Sequence, residues 1–191
     1  TVLTQNRLNT PYEVSVAPIL IPEDESARAR GEHLVRAVSS CASCHGSDLG
    51  GKEFIDEPLL VQIYAPNLTS GKGGKASLFS SQDWVRVLRH GVDPTGRSLL
   101  FMPAQYYRYY SDADLGAIVA YIQSLPPVDK ESPPRRIFTV GQILFALDTF
   151  GQTPAEIIDH RSVPPKPPQE GVSPEYGEFL VNVGTCKNCH G

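Results

Sequence analysis

Three stretches of the chain alternate apolar and polar residues with the period of an α-helix. The clearest spans residues 112–124, and its apolar positions recur at i, i+3, i+4 and i+7: Leu115, Ile118, Val119 and Ile122. Ser111 can cap the start of this stretch, and Pro126 and Pro127 stop it. The pattern therefore predicts a helix over residues 112–124.

Two more helices are predicted earlier in the chain. One runs from Ser26 to about Val38, with acidic residues at its N-terminal end, where the helix dipole favours them. The other runs from Ser81 to His90 and ends at Gly91, a residue type that readily adopts the left-handed conformation. Its apolar side is formed by three residues: Trp84, Val85 and Leu88.

The segments between these helices carry no regular pattern. Residues 1–25 hold three prolines and only weak alternation, which predicts an extended N-terminal arm. Residues 46–80 are rich in glycine and polar residues, so we expect a loop with short turns there. Because no convincing strand pair emerges, the sequence predicts an all-α fold.

Proline divides the chain into parts. Of the 17 prolines, 10 lie between Pro126 and Pro174, and proline disfavours helix interiors and central strands. We therefore expect a compact unit at 26–127 and a tether at 128–172. An apolar patch within the tether predicts a short helix that lies on the compact unit, and a membrane-facing or partner-binding patch is the alternative. The patch comprises Ile137, Ile143, Leu144, Phe145, Leu147 and Phe150.

Charge and composition exclude some classes of function. The net charge is -4, so we expect no nucleic-acid-binding surface. No run of 18 or more apolar residues is present, and the chain as given does not predict a transmembrane helix. The first residue is Thr1, and we expect that a targeting or anchoring segment has been removed or that the sequence is incomplete at the front.

The four cysteines form two pairs of identical spacing, and a histidine follows each pair directly. The motifs are CASCH at residues 41–45 and CKNCH at residues 186–190. C-x-x-C-H is the attachment site of c-type haem: two thiols bind the macrocycle as thioethers, and the histidine is the proximal iron ligand. A zinc site would lack a ligand in each half, a thioredoxin-like motif would need a βαβ context, and disulfides would leave both histidines unexplained. The sequence therefore predicts two covalent haem c groups, with these attachment and ligand residues: Cys41, Cys44, Cys186, Cys189, His45 and His190.

An internal repeat precedes the two motifs. GEFLV at 177–181 repeats GEHLV at 31–35, with a one-residue difference in the distance to the first cysteine. Residues 173–191 are therefore predicted to start a second copy of the helix-plus-haem unit. We expect this copy to be truncated, because no room remains for its loops and its closing helix.

Met102 is the only methionine and lies in a loop before the last predicted helix. As the second axial ligand of the first iron it would raise the reduction potential and suit electron transfer. A core methionine that fills a packing gap is the alternative. For the second iron the candidates are His33, His90 and His160, but truncation explains the missing ligand better, and an open second iron is the remaining alternative.

Residues 26–127 resemble a class I c-type cytochrome domain. The matching stretches are ARGEHLVRAVSSCASCHG, APNLTSGKGG, WVRVLRHGVDPTGRSLLFMP and YSDADLGAIVAYIQSLPPV. The resemblance implies three main helices around a covalent haem, ligation by His45 and Met102 at the first iron, and the same chemistry at the second motif. The backbone oxygen near Pro66 is one candidate partner for the other ring nitrogen of His45.

The whole chain is similar to the first part of multi-haem, membrane-anchored cytochromes c, such as the cytochrome subunits of periplasmic dehydrogenases and of respiratory or photosynthetic chains. This resemblance implies an electron carrier, not an enzyme, that moves single electrons between redox partner proteins. It implies a location in the periplasm or on the outer face of the cytoplasmic membrane, with an N-terminal anchor absent from this chain. The alternatives are a fixed subunit of a larger complex, with arm and tether as docking segments, and a haem enzyme with an open second iron.

Overall fold

The computed structural model describes residues 2–190, so Thr1 of the predicted arm and Gly191 of the predicted second unit lie outside the described residues. The first element is a helix, α1 (Val2–Asn9), and residues 10–23 follow it without helix or strand. The prediction of an extended arm is therefore wrong for α1. The helix lacks proline, and a distant contact helps to hold it, since Thr4 Oγ1 donates to Gln142 O at 2.6 Å.

The first C-x-x-C-H motif follows a continuous helical rod. Its first part, α2 (Glu25–His33), begins at Asp24, whose carboxylate accepts the Ala27 N–H at 2.9 Å. The rod continues as one π-helical turn (Leu34–Val38), and the chain then enters α3 (Cys41–His45). The predicted helix from Ser26 to about Val38 is confirmed, with a wider last turn than an α-helix has.

A small antiparallel sheet occupies part of the region predicted as loop. β1 (Lys52–Glu57) pairs with β2 (Val61–Ala65), and β3 (Arg136–Ile137) pairs with the other edge of β2. A bulge between Glu53 and Ile55 breaks the alternation of side chains in β1, so the strand pattern is weak in the sequence. The prediction of an all-α fold is therefore corrected: the protein is mainly helical and contains this three-stranded sheet.

The other two predicted helices are confirmed. α4 (Ser81–Val85) continues as a π-helical turn (Arg86–His90). Ser80 caps the start of α4 in a reciprocal capping box with Asp83. Gly91 ends the π-helical turn with a φ of 62°.

A loop that contains Met102 then leads to the short helix α5 (Ala104–Tyr107). The helix that follows, α6 (Asp112–Ser124), is capped by the Ser111 hydroxyl, which accepts the Asp114 N–H at 3.0 Å. The bounds of α6 agree with the prediction from the apolar period.

The core is organised around the contact between α2 and α6. Gly31 lies against the backbone of α6, and a Cβ atom at this position would lie 2.0 Å from Ala117 O. Only glycine allows the two helices to approach this closely. Several large side chains around this contact are less than 2% exposed: Val35, Trp84, Tyr110, Leu115 and Val119.

The tether folds back over this unit. Phe138 N donates to Leu60 O at 3.0 Å, and the tether then forms α7 (Thr139–Ala146) and α8 (Pro154–Ile157). A Cβ atom at Gly141 of α7 would lie 2.0 Å from Leu60 O, so α7 lies directly on the end of the β1–β2 hairpin. A short helix thus lies on the first unit, while the division of the chain into domains stays a prediction.

The segment of the second motif is helical as well. Ser173 caps α9 (Pro174–Val183), and the chain continues into α10 (Lys187–His190). Phe179 and Val183 of α9 belong to the same buried cluster as the residues between α2 and α6. The helix ahead of the second motif thus shares its core with the first unit.

Candidate haem-attachment site

The two cysteines and the histidine of the first motif lie within one short helix. Ser40 precedes α3 in the left-handed region (φ 49°), and Gly46 follows it at φ 88°. These two changes of backbone direction separate α3 from the rod before it and from the loop after it. Cys41 and Cys44 are therefore one helical turn apart on the same face, with His45 next to them.

His45 is buried and held in one tautomer. The residue is only 8% exposed. Its Nδ1 lies 2.9 Å from Pro66 O, and this is the contact that the sequence offered as a candidate. Because a carbonyl oxygen only accepts, Nδ1 donates the proton and Nε2 keeps its lone pair. Burial lowers the pKa of His45, and the hydrogen bond to Pro66 opposes this only in part. A neutral imidazole of fixed tautomer is the form that binds iron.

The Pro66 carbonyl is followed by a buried polar network that the sequence analysis missed. Asn67 Oδ1 accepts from the backbone N–H of Thr69 at 2.9 Å and from its hydroxyl at 2.8 Å. Asn67 Nδ2 donates to Val128 O at 2.6 Å, across 61 residues of sequence. Asn67 and Thr69 are both 0% exposed, so this network is a rigid support for the loop that holds His45. The APNLT stretch signals the loop, but its distant partner leaves no local pattern.

The thiols of the first motif are free and partly buried. All four cysteines of the chain are free, and none forms a disulfide in the part that the structure describes. Burial raises the pKa of Cys41 to about 12, and it also raises the pKa of Cys44, against the opposing effect of Lys52. Both thiols are thus available for attachment and are not committed to another bond.

The structure brings Met102 to the apolar cluster that the first motif borders. The side chain of Met102 is partly buried and packs against this cluster, as do Cys41 and Ala42. Its loop is fixed locally, because Ala104 N donates to Met102 O at 2.8 Å. Met102 therefore lies on the same core as the attachment residues, and its role as an axial ligand stays a prediction.

A buried donor without a partner tests whether a haem group fits these residues. Trp84 belongs to the same cluster and is 1% exposed, and its Nε1–H finds no hydrogen-bond acceptor among residues 2–190. Such a donor costs about 1–3 kcal/mol, and native interiors seldom leave one unsatisfied. A haem propionate is a carboxylate that would accept this hydrogen. The residues present therefore fit a haem group.

The second motif differs from the first in its exposure. Cys186, Cys189 and His190 are all exposed, whereas His45 of the first motif is buried. Two of the histidines considered for the second iron form a hydrogen bond with each other, since His90 Nδ1 lies 3.1 Å from His160 Nδ1. The structure therefore gives neither of them a free Nδ1 for a metal.

Comparison with protein families identifies the first unit. A family model described as Cytochrome C oxidase, cbb3-type, subunit III matches residues 26–122, about half of the chain. The chain belongs to this family of c-type cytochromes. The match includes the first attachment motif, the Pro66 loop and Met102, so covalent haem c and a part in electron transfer follow from membership.

Three curated relatives are similar to this cytochrome over most of its length. One of the subunits of nicotinate dehydrogenase from Pseudomonas putida is 29% identical over 196 residues, covering 94% of this chain and 16% of that protein. The gluconate 2-dehydrogenase cytochrome c subunit of Pantoea cypripedii is 31% identical over 177 residues, covering 84% and 37%. A diheme cytochrome c-type protein of Cereibacter sphaeroides is 26% identical over 180 residues, covering 85% and 56%.

These relatives confirm the resemblance to multi-haem c-type cytochromes. The resemblance covers only part of each relative, because the chain spans between 16% and 56% of the length of the three proteins.

The helices of the cytochrome are short, with 13 residues in α6. Within residues 2–190, none is long and apolar enough to pass through a membrane.

Proposed function

We propose that this protein is a dihaem c-type cytochrome that transfers single electrons between redox partner proteins on the outer side of the membrane. The observation that carries the proposal is the geometry of His45: a buried, neutral imidazole whose Nδ1 is bound by Pro66 O, beside two free thiols in the same helix. The attachment residues are Cys41 and Cys44 for the first haem and Cys186 and Cys189 for the second. The iron ligands are His45, Met102 and His190.

The side chains around the first motif set the conditions for this function. When bound, haem c supplies an iron that accepts and releases one electron. The hydrogen bond to Pro66 O keeps His45 in the tautomer that binds metal. Met102 supplies a sulfur ligand that raises the potential and closes the iron to small molecules. No bond of a substrate is made or broken, so the protein acts as a carrier and not as an enzyme.

The use of cysteine supports the location. All four cysteines fall within C-x-x-C-H motifs, and covalent haem attachment by this motif is associated with the outer side of the bacterial membrane. The proposed location is therefore the periplasm or the outer face of the cytoplasmic membrane.

Haem counting tests the proposal directly. The denatured mass of the purified wild-type protein should exceed the polypeptide mass by two haems. The Cys186→Ala/Cys189→Ala variant should retain one haem, and Ser43→Ala, at a variable position of the first motif, should retain both. A wild-type protein without covalent haem would contradict the cytochrome, and one with a single haem would contradict its dihaem state.

The role of Met102 has its own spectroscopic test. Met102→Ala should abolish the methionine-to-iron charge-transfer band, lower the potential of the first haem and allow carbon monoxide to bind it. Leu100→Ala, two positions away in the same loop, is the matched control and should keep the band. An unchanged band in Met102→Ala would assign the distal ligand to another residue.

A second candidate is the cytochrome subunit of a dehydrogenase complex. Two relatives bear the names of dehydrogenase subunits, for nicotinate and for gluconate. Apolar side chains are also exposed on α1 and α7: Leu3 is 70% exposed, Val140 48% and, directly after α7, Leu147 71%. The two helices are in contact through the Thr4–Gln142 hydrogen bond, and exposed apolar side chains on neighbouring elements are typical of protein interfaces.

Copurification separates the two candidates. A complex subunit should migrate with a dehydrogenase after extraction in mild detergent, and Leu3→Glu/Leu147→Glu should release it with its haems intact. Leu78→Glu, 69% exposed in the loop before α4, is the control. A wild-type protein that migrates alone would favour the free carrier.

A further inference from the structure

The helix ahead of the second attachment motif, α9, packs into the interior of the first unit, here called the first domain. Phe179 is 7% exposed and Val183 is 0% exposed, and both belong to the cluster that contains Val35 and Leu115. Only two residues separate Val183 from Cys186. The start of the second motif is therefore joined to the core of the first domain by a very short segment.

Ser39 is the point where the two motif segments meet. It lies two residues before Cys41 and is 6% exposed. Its Oγ lies 2.7 Å from the hydroxyl of Tyr110 and 3.4 Å from Val183 O. Because Val183 O only accepts, the serine hydroxyl donates a hydrogen bond to it and accepts one from the tyrosine hydroxyl. One buried hydroxyl thus connects the segment before Cys41, the loop before α6 and the end of α9.

Aromatic rings fill the space around this junction. The Tyr107 hydroxyl donates to Ser39 O at 3.4 Å, and its ring stacks on Tyr110 with centroids 6.4 Å apart. Tyr110 in turn meets the edge of Phe179 at 6.1 Å, and Phe179 stacks on Tyr176 at 5.8 Å. Rings in these offset and edge-on arrangements attract each other beyond their apolar burial, so α9 is held by specific contacts.

A tether alone would not hold the second motif in one place. Residues 163–168 read VPPKPP, a stiff extended spacer, and the exposed Gly171 and Val172 follow it before α9 begins. Such a linker limits reach without fixing an orientation. The contacts of α9 with Ser39 and Tyr110 supply what the linker lacks.

We propose that Ser39, Tyr110 and Phe179 are positioning residues that hold the two attachment motifs at a fixed separation, so that electrons pass between the two haems in one docked geometry. The proposal rests on the dihaem function proposed above. None of the three residues binds the haem in this scheme; they act through α9 and the segment before Cys41.

Hydrogen exchange on the haem-loaded full chain tests the docking. In the wild type, the amides of α9 should be protected. Phe179→Ala should speed their exchange at least tenfold and leave α6 unchanged, and Tyr110→Phe should act in the same direction. Tyr64→Phe, the control, removes a tyrosine hydroxyl that binds Glu53 at 3.0 Å on the exposed side of the hairpin. In this variant the α9 amides should exchange as they do in the wild type.

Electron transfer supplies a readout that a purely structural role would not change. After flash reduction of one haem, equilibration with the other should slow at least tenfold in Phe179→Ala, and Ser39→Ala should be slowed as well. Ser39→Thr keeps the hydroxyl and should restore the wild-type rate more closely than Ser39→Ala. The haem content of each variant is read from its mass first.

The outcomes separate the two proposals. Two haems with an unprotected α9 in the wild type, or with an unchanged rate in Phe179→Ala, would overturn the positioning role alone. Fewer than two haems in the wild type would contradict the dihaem function and the interhaem role together.

Discussion

Arg7 and Glu156 form a two-pronged ion pair between the first helix and the tether. Arg7 Nε lies 2.6 Å from Glu156 Oε1, and Arg7 Nη2 lies 2.8 Å from Glu156 Oε2. The same guanidinium donates to Phe145 O at 3.1 Å and to Gly151 O at 2.9 Å, and it lies over the Phe145 ring. One side chain therefore joins α1, α7 and α8.

Arg7→Ala should detach α1 from the tether. The variant loses the two hydrogen bonds to Glu156 and the two to Phe145 O and Gly151 O, and it leaves the Glu156 carboxylate without its cationic partner. The free energy of unfolding should therefore fall by about 1–3 kcal/mol. Denaturant unfolding measures the loss, and hydrogen exchange should locate it in α1 and α8. Arg28→Ala, which removes an exposed arginine of α2, is the control, and an equal effect in both variants would contradict the role of the ion pair.

The histidine pair makes the docking of the tether depend on pH. His160 Nε2 donates to Ala155 O at 3.0 Å, so in the neutral pair His160 Nδ1 accepts from His90 Nδ1 at 3.1 Å. Burial lowers the pKa of His90 to about 4, and the neighbouring His160, Arg108 and Arg89 act in the same direction. Burial also lowers the pKa of His160, against opposing contributions from Ala155 O and Asp159.

The sign of this dependence follows from proton linkage. Both histidines bind protons more weakly in the folded protein than in the unfolded chain, whose ordinary pKa is 6.5. The pair therefore contributes its full stability above pH 6.5 and loses it as the pH falls towards about 4. Unfolding measured across this range should show a decline in wild type that is smaller in His160→Gln. His33→Gln, at an exposed histidine of α2, should keep the wild-type profile; identical profiles in all three proteins would contradict the prediction.

Trp84→Phe should change the pH dependence of the first haem. A propionate that accepts the Nε1–H has its pKa lowered, because the hydrogen bond favours the charged form. Without the donor, this pKa rises, and the pH at which the reduction potential begins to change should move upward. Potentiometric titration at several pH values measures the shift.

The control for Trp84→Phe keeps the donor and disturbs the packing. Phe79 meets the Trp84 ring at 5.2 Å, so Phe79→Leu alters the same part of the core without removing a polar group. It should leave the pH dependence as in wild type. A Trp84→Phe protein with an unchanged profile would show that Nε1 does not bind a propionate.

Local patterns predicted the elements that carry their own signals. Ser80 and Ser111 cap α4 and α6, and the apolar period of α6 is complete within thirteen residues. The spacing of cysteines and histidine likewise marks the attachment motifs without any knowledge of the fold. Each of these signals lies within the element that it predicts.

The elements that the patterns missed depend on distant partners. Thr4 of α1 binds the backbone 138 residues away, and β3 pairs with a strand from the first domain. The contacts that support the haem-attachment site also join distant parts of the sequence. Asn67 binds Val128 O, and Ser39 binds Val183 O, 144 residues away. Such contacts form only when the whole chain is folded, and a local window does not contain them.

Gly31 and Gly177 hold the same position in the repeat ahead of the two motifs but have different surroundings. A Cβ atom at Gly31 would lie 2.0 Å from Ala117 O and 2.8 Å from Tyr121 Cβ, whereas one at Gly177 would have nothing within 4 Å. Both residues lie inside helices, where alanine is otherwise preferred to glycine. The two positions therefore form a matched pair for the same substitution.

Gly31→Ala and Gly177→Ala should have opposite effects on stability. At Gly31 the added methyl group forces α2 away from α6, and overpacking of this kind costs about 1–3 kcal/mol or more. At Gly177 the methyl group enters open space, and the helix gains about 0.5–1 kcal/mol because alanine loses less backbone entropy than glycine. Thermal unfolding of the haem-loaded protein measures both changes. A destabilising Gly177→Ala would mean that α9 packs against a neighbour at this face, as α2 packs against α6.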